Sequence, residues 1–315
     1  MSKQTHPYHL VNPSPWPALA ATALLMVTFG MAMFMHQKQG GIFLAAAGFA
    51  VVLYTMFVWW RDVVHEARVD HAHTEAVSRG LRAGMALFIT SEVLFFAAFF
   101  WAFFNASTLP KLPLAETWAI MPGVWPPAGI HPFDPFHLPF LNTLILLLSG
   151  STVTWAHYAI LQNNRKETIQ ALWLTVILGV CFTACQAFEY THASFGFTQG
   201  IYATTFYMAT GFHGFHVLVG TLFLAVCLLR AYKGHFTAEK HLGFEFAAWY
   251  WHFVDVVWLF LFVFVYCNMA GRLMPIFEMI FTGTNMLIAF VLLLCAAGYG
   301  AFKLAINGGL PKVAH

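Results

Sequence analysis

FITSEVLFFAAFFWAFF, residues Phe88 to Phe104, holds a single carboxylate, Glu92, in an apolar run that offers it no adjacent counter-charge. An ionised side chain at the centre of a bilayer costs about 2.5–3.5 kcal/mol on insertion scales and more in simulations, so such groups face protein or water rather than lipid. The run reads as a membrane span from about Leu81 to Phe104. At ~1.5 Å per residue Glu92 then lies about 16 Å in, near the midplane of a ~30 Å core. Glu92 is therefore the first candidate functional residue. The plainer alternative is a protonated carboxyl that hydrogen-bonds a neighbouring helix.

The rest of the chain repeats the pattern. Of 315 residues 60% are hydrophobic and 9% charged, with mean hydropathy +0.69, whereas an ordinary soluble domain carries about 25% charged residues. Apolar runs place spans at about Trp16 to Met35, Ile42 to Trp60, Leu81 to Phe104, Leu138 to Leu161, Thr168 to Tyr190, Ile201 to Leu229, Phe244 to Met269 and Ile276 to Ala305. The expected fold is an all-α polytopic membrane protein. His36 to Gly41 reads as a tight turn, and Asn105 to Phe136, with seven prolines, as an ordered extramembrane cap. The N-terminus lacks the pattern of a cleavable signal or organelle presequence, so nothing in it looks removable. Pro13, Pro15, Pro17 and Trp16 read as an ordered, interfacial entry to the first span.

Orientation follows from Lys and Arg. With the N-terminus cytoplasmic, that side receives Lys3, Arg61, Arg68, Arg79, Arg82, Arg165, Lys166, Arg230, Lys233, Lys240, Lys303 and Lys312, which leaves Lys38, Lys111 and Arg272 opposite. Twelve against three satisfies the positive-inside rule. The net charge of +2 gives no sign of a nucleic-acid surface. All five cysteines, Cys181, Cys185, Cys227, Cys267 and Cys295, lie in apolar runs without metal-ligand spacing and read as small buried hydrophobes.

The same topology puts Asp255, His213 and His216 at roughly the depth of Glu92, which predicts a mid-membrane polar layer. Its functional reading is proton handling or ligand binding, and its structural reading is a set of interhelical hydrogen bonds. His213 and His216 have the i, i+3 spacing of metal ligands but lack ligating neighbours in sequence, so the expectation is no metal site in this chain. The segment Arg61 to Arg79 mixes acids, bases and histidines and reads as a hydrated loop whose imidazoles can buffer protons near neutral pH.

Five stretches, in order, carry a resemblance: WWRDVVHE (Trp59 to Glu66), FITSEVLFF (Phe88 to Phe96), LNTLILLLSGSTVTWAH (Leu141 to His157), ATGFHGFHVLVGT (Ala209 to Thr221) and WYWHFVDVVWLFLFVFVY (Trp249 to Tyr266). The chain resembles subunit III of the haem-copper cytochrome c oxidases, of the alphaproteobacterial and mitochondrial type, over about Pro7 to Tyr266. The resemblance implies a seven-helix bundle of two plus five helices with a lipid-filled V-shaped cleft. It implies a cofactor-free chain beside subunit I, with subunit II and small subunits in the complex. Cytochrome c would be the complex's substrate, oxygen would be reduced to water while protons are pumped, and haem and copper would sit in the partner subunits. It places the chain in a bacterial cytoplasmic membrane with its N-terminus cytoplasmic, or in the mitochondrial inner membrane with its N-terminus in the matrix.

Carried over by position, Glu92 matches the family's carbodiimide-reactive carboxylate. Trp60, Phe88, Arg230, His235, Glu66 and His73 match contacts to structural phospholipids, and His65 stands where relatives commonly carry Arg. Residues 1–66 then form a two-helix arm, 67–270 a five-helix bundle, and 271–315 an extension with an eighth transmembrane helix that the resemblance does not cover. Alternative readings are subunit III of a quinol oxidase, a proton-coupled transporter, and a histidine-dependent membrane oxygenase. A transporter would typically show paired halves with broken helices, and an oxygenase would need a dense set of histidine ligands.

Overall fold

The structure is a computed structural model that describes residues 8–9, 11–108, 125–127 and 129–267. Among these residues there is no strand, and seven helices are long and apolar enough to cross a membrane. They are α1 (Trp16–Met35), α2 (Gly41–Arg68), α3 (Glu75–Thr108), α4 (Leu138–Leu161), α5 (Arg165–Thr191), α6 (Gly200–Tyr232) and α7 (Leu242–Phe260). A π-helix over Leu261–Cys267 follows α7 directly. The eighth helix, the 271–315 extension, Cys295 and most of the Asn105 to Phe136 connection lie outside the described residues.

α1 and α4 end where the apolar runs end, whereas α2 and α3 run well past theirs. α2 continues through RDVVHEAR to Arg68, because Arg, Glu and Ala are good helix formers even where hydropathy has fallen. Helix ends follow local chemistry. Asn164 caps α5 by accepting from the Glu167 N–H at 3.3 Å. Gly234, at φ 66°, closes α6 with the His235 N–H reaching back to Arg230 O.

The chain divides into two compact units between Leu81 and Arg82, inside α3. In the first, α1 and α2 form a hairpin joined through Gly40 at φ 81°. A methyl group at Gly30 would run into the Ala45 backbone, and one at Gly48 would sit 2.8 Å from Met26 Cβ. Small residues thus let the two backbones touch, the contact that replaces hydrophobic driving force where lipid is as apolar as leucine. The hairpin's charged end is tied by Trp16 Nε1, which donates to Asp62 Oδ2 at 2.8 Å. Its outer faces carry exposed Phe29, Phe43 and Phe57.

The second unit packs α4 to α7, with the rest of α3, around fully buried Trp251 and Trp258. Trp251 donates to Ser149 Oγ and Trp258 to Thr143 Oγ1, each at 2.9 Å, so both indole N–H groups are satisfied. Gly220 leaves the slot for Trp251, since a methyl there would lie 2.8 Å from the indole. On α3 the paired phenylalanines divide the work. Phe95 and Phe99 meet Phe212 of α6 at 4.9 and 4.8 Å, while Phe96 and Phe100 meet Phe253 and Phe260 of α7.

The cysteines are not all the small buried hydrophobes expected from the sequence. Cys181 is exposed and Cys185 half-buried, while Cys227 and Cys267 are buried. Cys181 shares an outward apolar face of α5 with exposed Ile177 and Val180, a face made for lipid rather than for the core.

Candidate functional site

Glu92 falls one turn before the Phe95 and Phe96 pair, so it shares the face of α3 turned to α6 and α7. There Glu92 Oε2 lies 2.9 Å from His216 Nε2. His216 Nδ1 is 2.7 Å from Phe212 O. A carbonyl only accepts, so Nδ1 carries a hydrogen. The bond between Nε2 and Glu92 then holds one proton, and the pair is either a neutral acid on a neutral imidazole or a carboxylate on an imidazolium. Both states have zero net charge, which removes most of the cost of a carboxylate at mid-span. Phe96 and Tyr250 enclose the imidazole at ring separations of 5.0 and 6.2 Å.

Asp255 repeats the arrangement within α7. His252 Nδ1 lies 3.3 Å from Asp255 Oδ2, and His252 Nε2 lies 3.3 Å from Thr154 Oγ1 of α4. The Thr154 hydroxyl spends its hydrogen on Gly150 O at 2.9 Å, so it accepts from Nε2–H and again leaves one proton for the carboxyl bond. The setting differs, since the His252 side chain is 46% exposed against 8% for His216.

His213 does not join either pair. Its Nε2 donates to Val254 O at 3.2 Å, and its ring packs on Phe182 and Trp258 at 5.6 and 5.2 Å. The anticipated mid-membrane residues are thus Glu92 and His216 in contact, with Asp255 and His213 each served separately. The i, i+3 histidines turn to different partners because α6 is flanked by α3 on one side and by α5 and α7 on the other.

Three polar arrangements escape a reading of the sequence alone. Arg82 makes a bidentate contact with Glu245 at 2.9 to 3.2 Å, joining α3 to the first turn of α7. Glu189, 2% exposed, accepts from Tyr266 at 2.6 Å and from Gln186 at 3.1 Å. Arg165 donates to Ala231 O at 3.0 Å and to Tyr232 O at the end of α6, where a cation suits the helix dipole. Only the His252 partner of Asp255 was signalled locally, by the i, i+3 spacing in WHFVD.

The residues matched to lipid contacts sit as follows. Trp60 and Phe88 are exposed, and Arg230 is half-buried with its guanidinium 4.7 Å from the Phe236 ring. His235 follows the end of α6, and His65 faces Asp70 at 3.5 Å. Glu66, in the last turn of α2, and His73, in the connection to α3, lie together with His9 alongside. Burial, then the neighbouring His9, pushes the His73 imidazole below its usual value, with Glu66 pulling the other way. A neutral imidazole, with a free lone pair, is favoured there.

Residues 6–269 match the family described as Cytochrome c oxidase subunit III. The chain belongs to that family. Subunit III relatives include a Rickettsia felis protein named "Probable cytochrome c oxidase subunit 3", 57% identical over 265 residues that cover 84% of this chain and 95% of the relative. The "Cytochrome c oxidase subunit 3" of Scyliorhinus canicula is 56% identical over 266 residues, and that of Arabidopsis thaliana 54% over 266, each covering 84% of this chain and 98% of the relative. The subunit III match stops at residue 269, so the C-terminal extension stands outside it.

Proposed function

We propose that this chain is the non-catalytic core subunit III of a proton-pumping cytochrome c oxidase, placed beside subunit I, where oxygen is reduced to water by haems and copper held in other subunits. The observation that carries the non-catalytic reading is the engagement of His216. Both its ring nitrogens are consumed, one by Phe212 O and one by Glu92, which leaves neither for a redox metal. Glu92, half-buried on the face of α3 turned to α6, acts as a proton-holding element of the scaffold.

The chain also binds phospholipid and supports proton uptake. Arg230 and His235 suit phosphate oxygens, and Trp60 and Phe88 suit glycerol and acyl chains. His65 takes phosphate only when protonated, while Glu66 and His73 suit the amine or hydroxyl groups of a headgroup. The histidines between Arg61 and Arg79 buffer protons on their way to subunit I. The balance of Lys and Arg supports a cytoplasmic N-terminus in a bacterial inner membrane.

Removing the chain from the purified complex tests the reading. The depleted enzyme is expected to keep electron transfer, to take up protons more slowly and to inactivate after fewer turnovers. Loss of all oxygen reduction with haems and copper retained, or haem or a redox-active copper centre held by this chain in the purified complex, would overturn it.

A further inference from the structure

The geometry points to a binding site for a divalent transition cation of the zinc class at His9, Glu66 and His73. One ligand atom from each residue lies within 4.8 Å of the others, two imidazole nitrogens and one carboxylate oxygen, all half-buried. Among the described residues this is the one group of three or more His, Cys, Asp or Glu side chains with that convergence. Three atoms at the corners of such a triangle stand about 2.8 Å from its centre, so each must close by under about 1 Å to reach the ~2.0–2.2 Å of zinc bonds to His and carboxylate. Small rotations of two imidazoles and one three-torsion carboxylate supply that.

The backbone holds the group in place. α2 ends at Arg68, and the chain then folds back, with the Val69 N–H on His65 O at 2.7 Å and the Ala72 N–H on Glu66 O at 3.1 Å. The reversal uses His71 at φ 51° and sets His73 beside Glu66, while Thr74 starts α3 by accepting from Val77 N–H. His9 arrives from the segment before α1, its ring 6.1 Å from that of His73. The three ligands therefore come from three separate pieces of one compact unit.

The donor set chooses the ion. Imidazole suits zinc, copper and nickel, whereas magnesium and calcium demand oxygen ligands that two histidines cannot supply. Three protein ligands leave a fourth position open to water. The anionic Glu66 disfavours a bare phosphate and favours a cation at this corner. A bound ion would fasten the N-terminal segment to the α2–α3 connection. This inference rests on the local geometry; Glu66 and His73 are shared with the lipid contacts proposed above, so a cation and a headgroup would compete for them.

The test is zinc stoichiometry on the purified oxidase complex, equilibrated with buffered zinc and separated from free metal. Wild type is compared with His9→Ala, His73→Ala and, as a control, His65→Ala, whose imidazole adjoins Glu66 in sequence but faces Asp70. Changing groups that merely support a ligand already costs about 10–100-fold in affinity, so removal of a ligand is expected to eliminate one zinc per chain. His65→Ala should retain it. Because His73→Ala could disturb the turn, amide exchange across residues 11–15 of the wild-type complex is read as well. Zinc should slow it, magnesium should not, and a chelator should reverse the effect. Equal zinc in wild type and both ligand variants, equal loss in His65→Ala, or exchange indifferent to zinc would overturn the site.

Discussion

Arg82 meets Glu245, and His216 meets Glu92. Both pairs tie α3 to a later helix, yet they solve the same electrostatic problem in different ways. A guanidinium cannot give up its proton, so the first pair is ionic whenever it is formed. The imidazole of the second can pass its proton to the carboxyl and leave two neutral groups. The pairs stand ten residues apart on α3, about 15 Å along the axis. Near the start of the helix, water and headgroups help to solvate a fixed ion pair. At mid-span that help is missing, and the partner chosen is one that never obliges the pair to hold two charges.

The comparison breaks most visibly at its ionic end. Arg82→Gln leaves Glu245 beside a neutral amide, and removing one partner of a buried pair costs about 3–5 kcal/mol. With 27% of the Arg82 side chain exposed, the lower figure is expected. The measurement is the temperature at which the chain leaves the purified complex, which should fall clearly. No fall would mean that water already carries the pair.

His216→Leu comes next. It strips Glu92 of its base, but the carboxyl can stay protonated, so the expected cost is that of one unsatisfied buried polar group, about 1–3 kcal/mol. The same dissociation measurement should place this variant between Arg82→Gln and wild type. A loss larger than that of Arg82→Gln would show that Glu92 is held as a carboxylate and not as an acid.

These two pairs also mark how far the fold and the site are legible in the sequence. Apolar run length located the helices because a span must fill the hydrocarbon thickness, and α1 and α4 end where hydropathy ends. It stopped short on α2, since RDVVHEAR continues the helix after hydropathy has fallen. The π-helix after α7 left no mark in the composition of LFVFVYC. Glu92, Asp255, His213 and His216 stood out singly because ionisable groups are rare in apolar runs. Their partners did not, since which helix faces which is decided by packing across 124 residues in the case of Glu92 and His216. Arg82 counted only as a topological charge, and nothing in the sequence marked Glu189, whose partners Tyr266 and Gln186 reach it only in the packed bundle.

The pair in α7 sharpens the comparison further. His252 and Asp255 have the chemistry of the mid-span pair, but His252 is nearly half exposed and the contact closes within one helix. His252→Leu should therefore cost no more than an average membrane hydrogen bond, about 0.6 kcal/mol. The dissociation temperature should barely move. A drop equal to that of His216→Leu would mean that the Thr154 contact between α4 and α7 carries much of the bundle.

The smallest effect is expected where the sequence first drew attention. In Glu92→Gln the amide can donate to His216 Nε2 while Nδ1–H stays on Phe212 O, so every hydrogen bond of the neutral form of the pair survives. No proton then needs to be stored between α3 and α6. The complex should assemble and lose less than about 1 kcal/mol in stability. Oxygen reduction should continue at a substantial rate, because in the proposed assembly the chemistry belongs to subunit I. Turnover and proton uptake of the purified variant check this. Complete loss of oxygen reduction in a fully assembled Glu92→Gln complex would put the Glu92 proton on the path of the reaction, and the scaffold reading of the pair would fail.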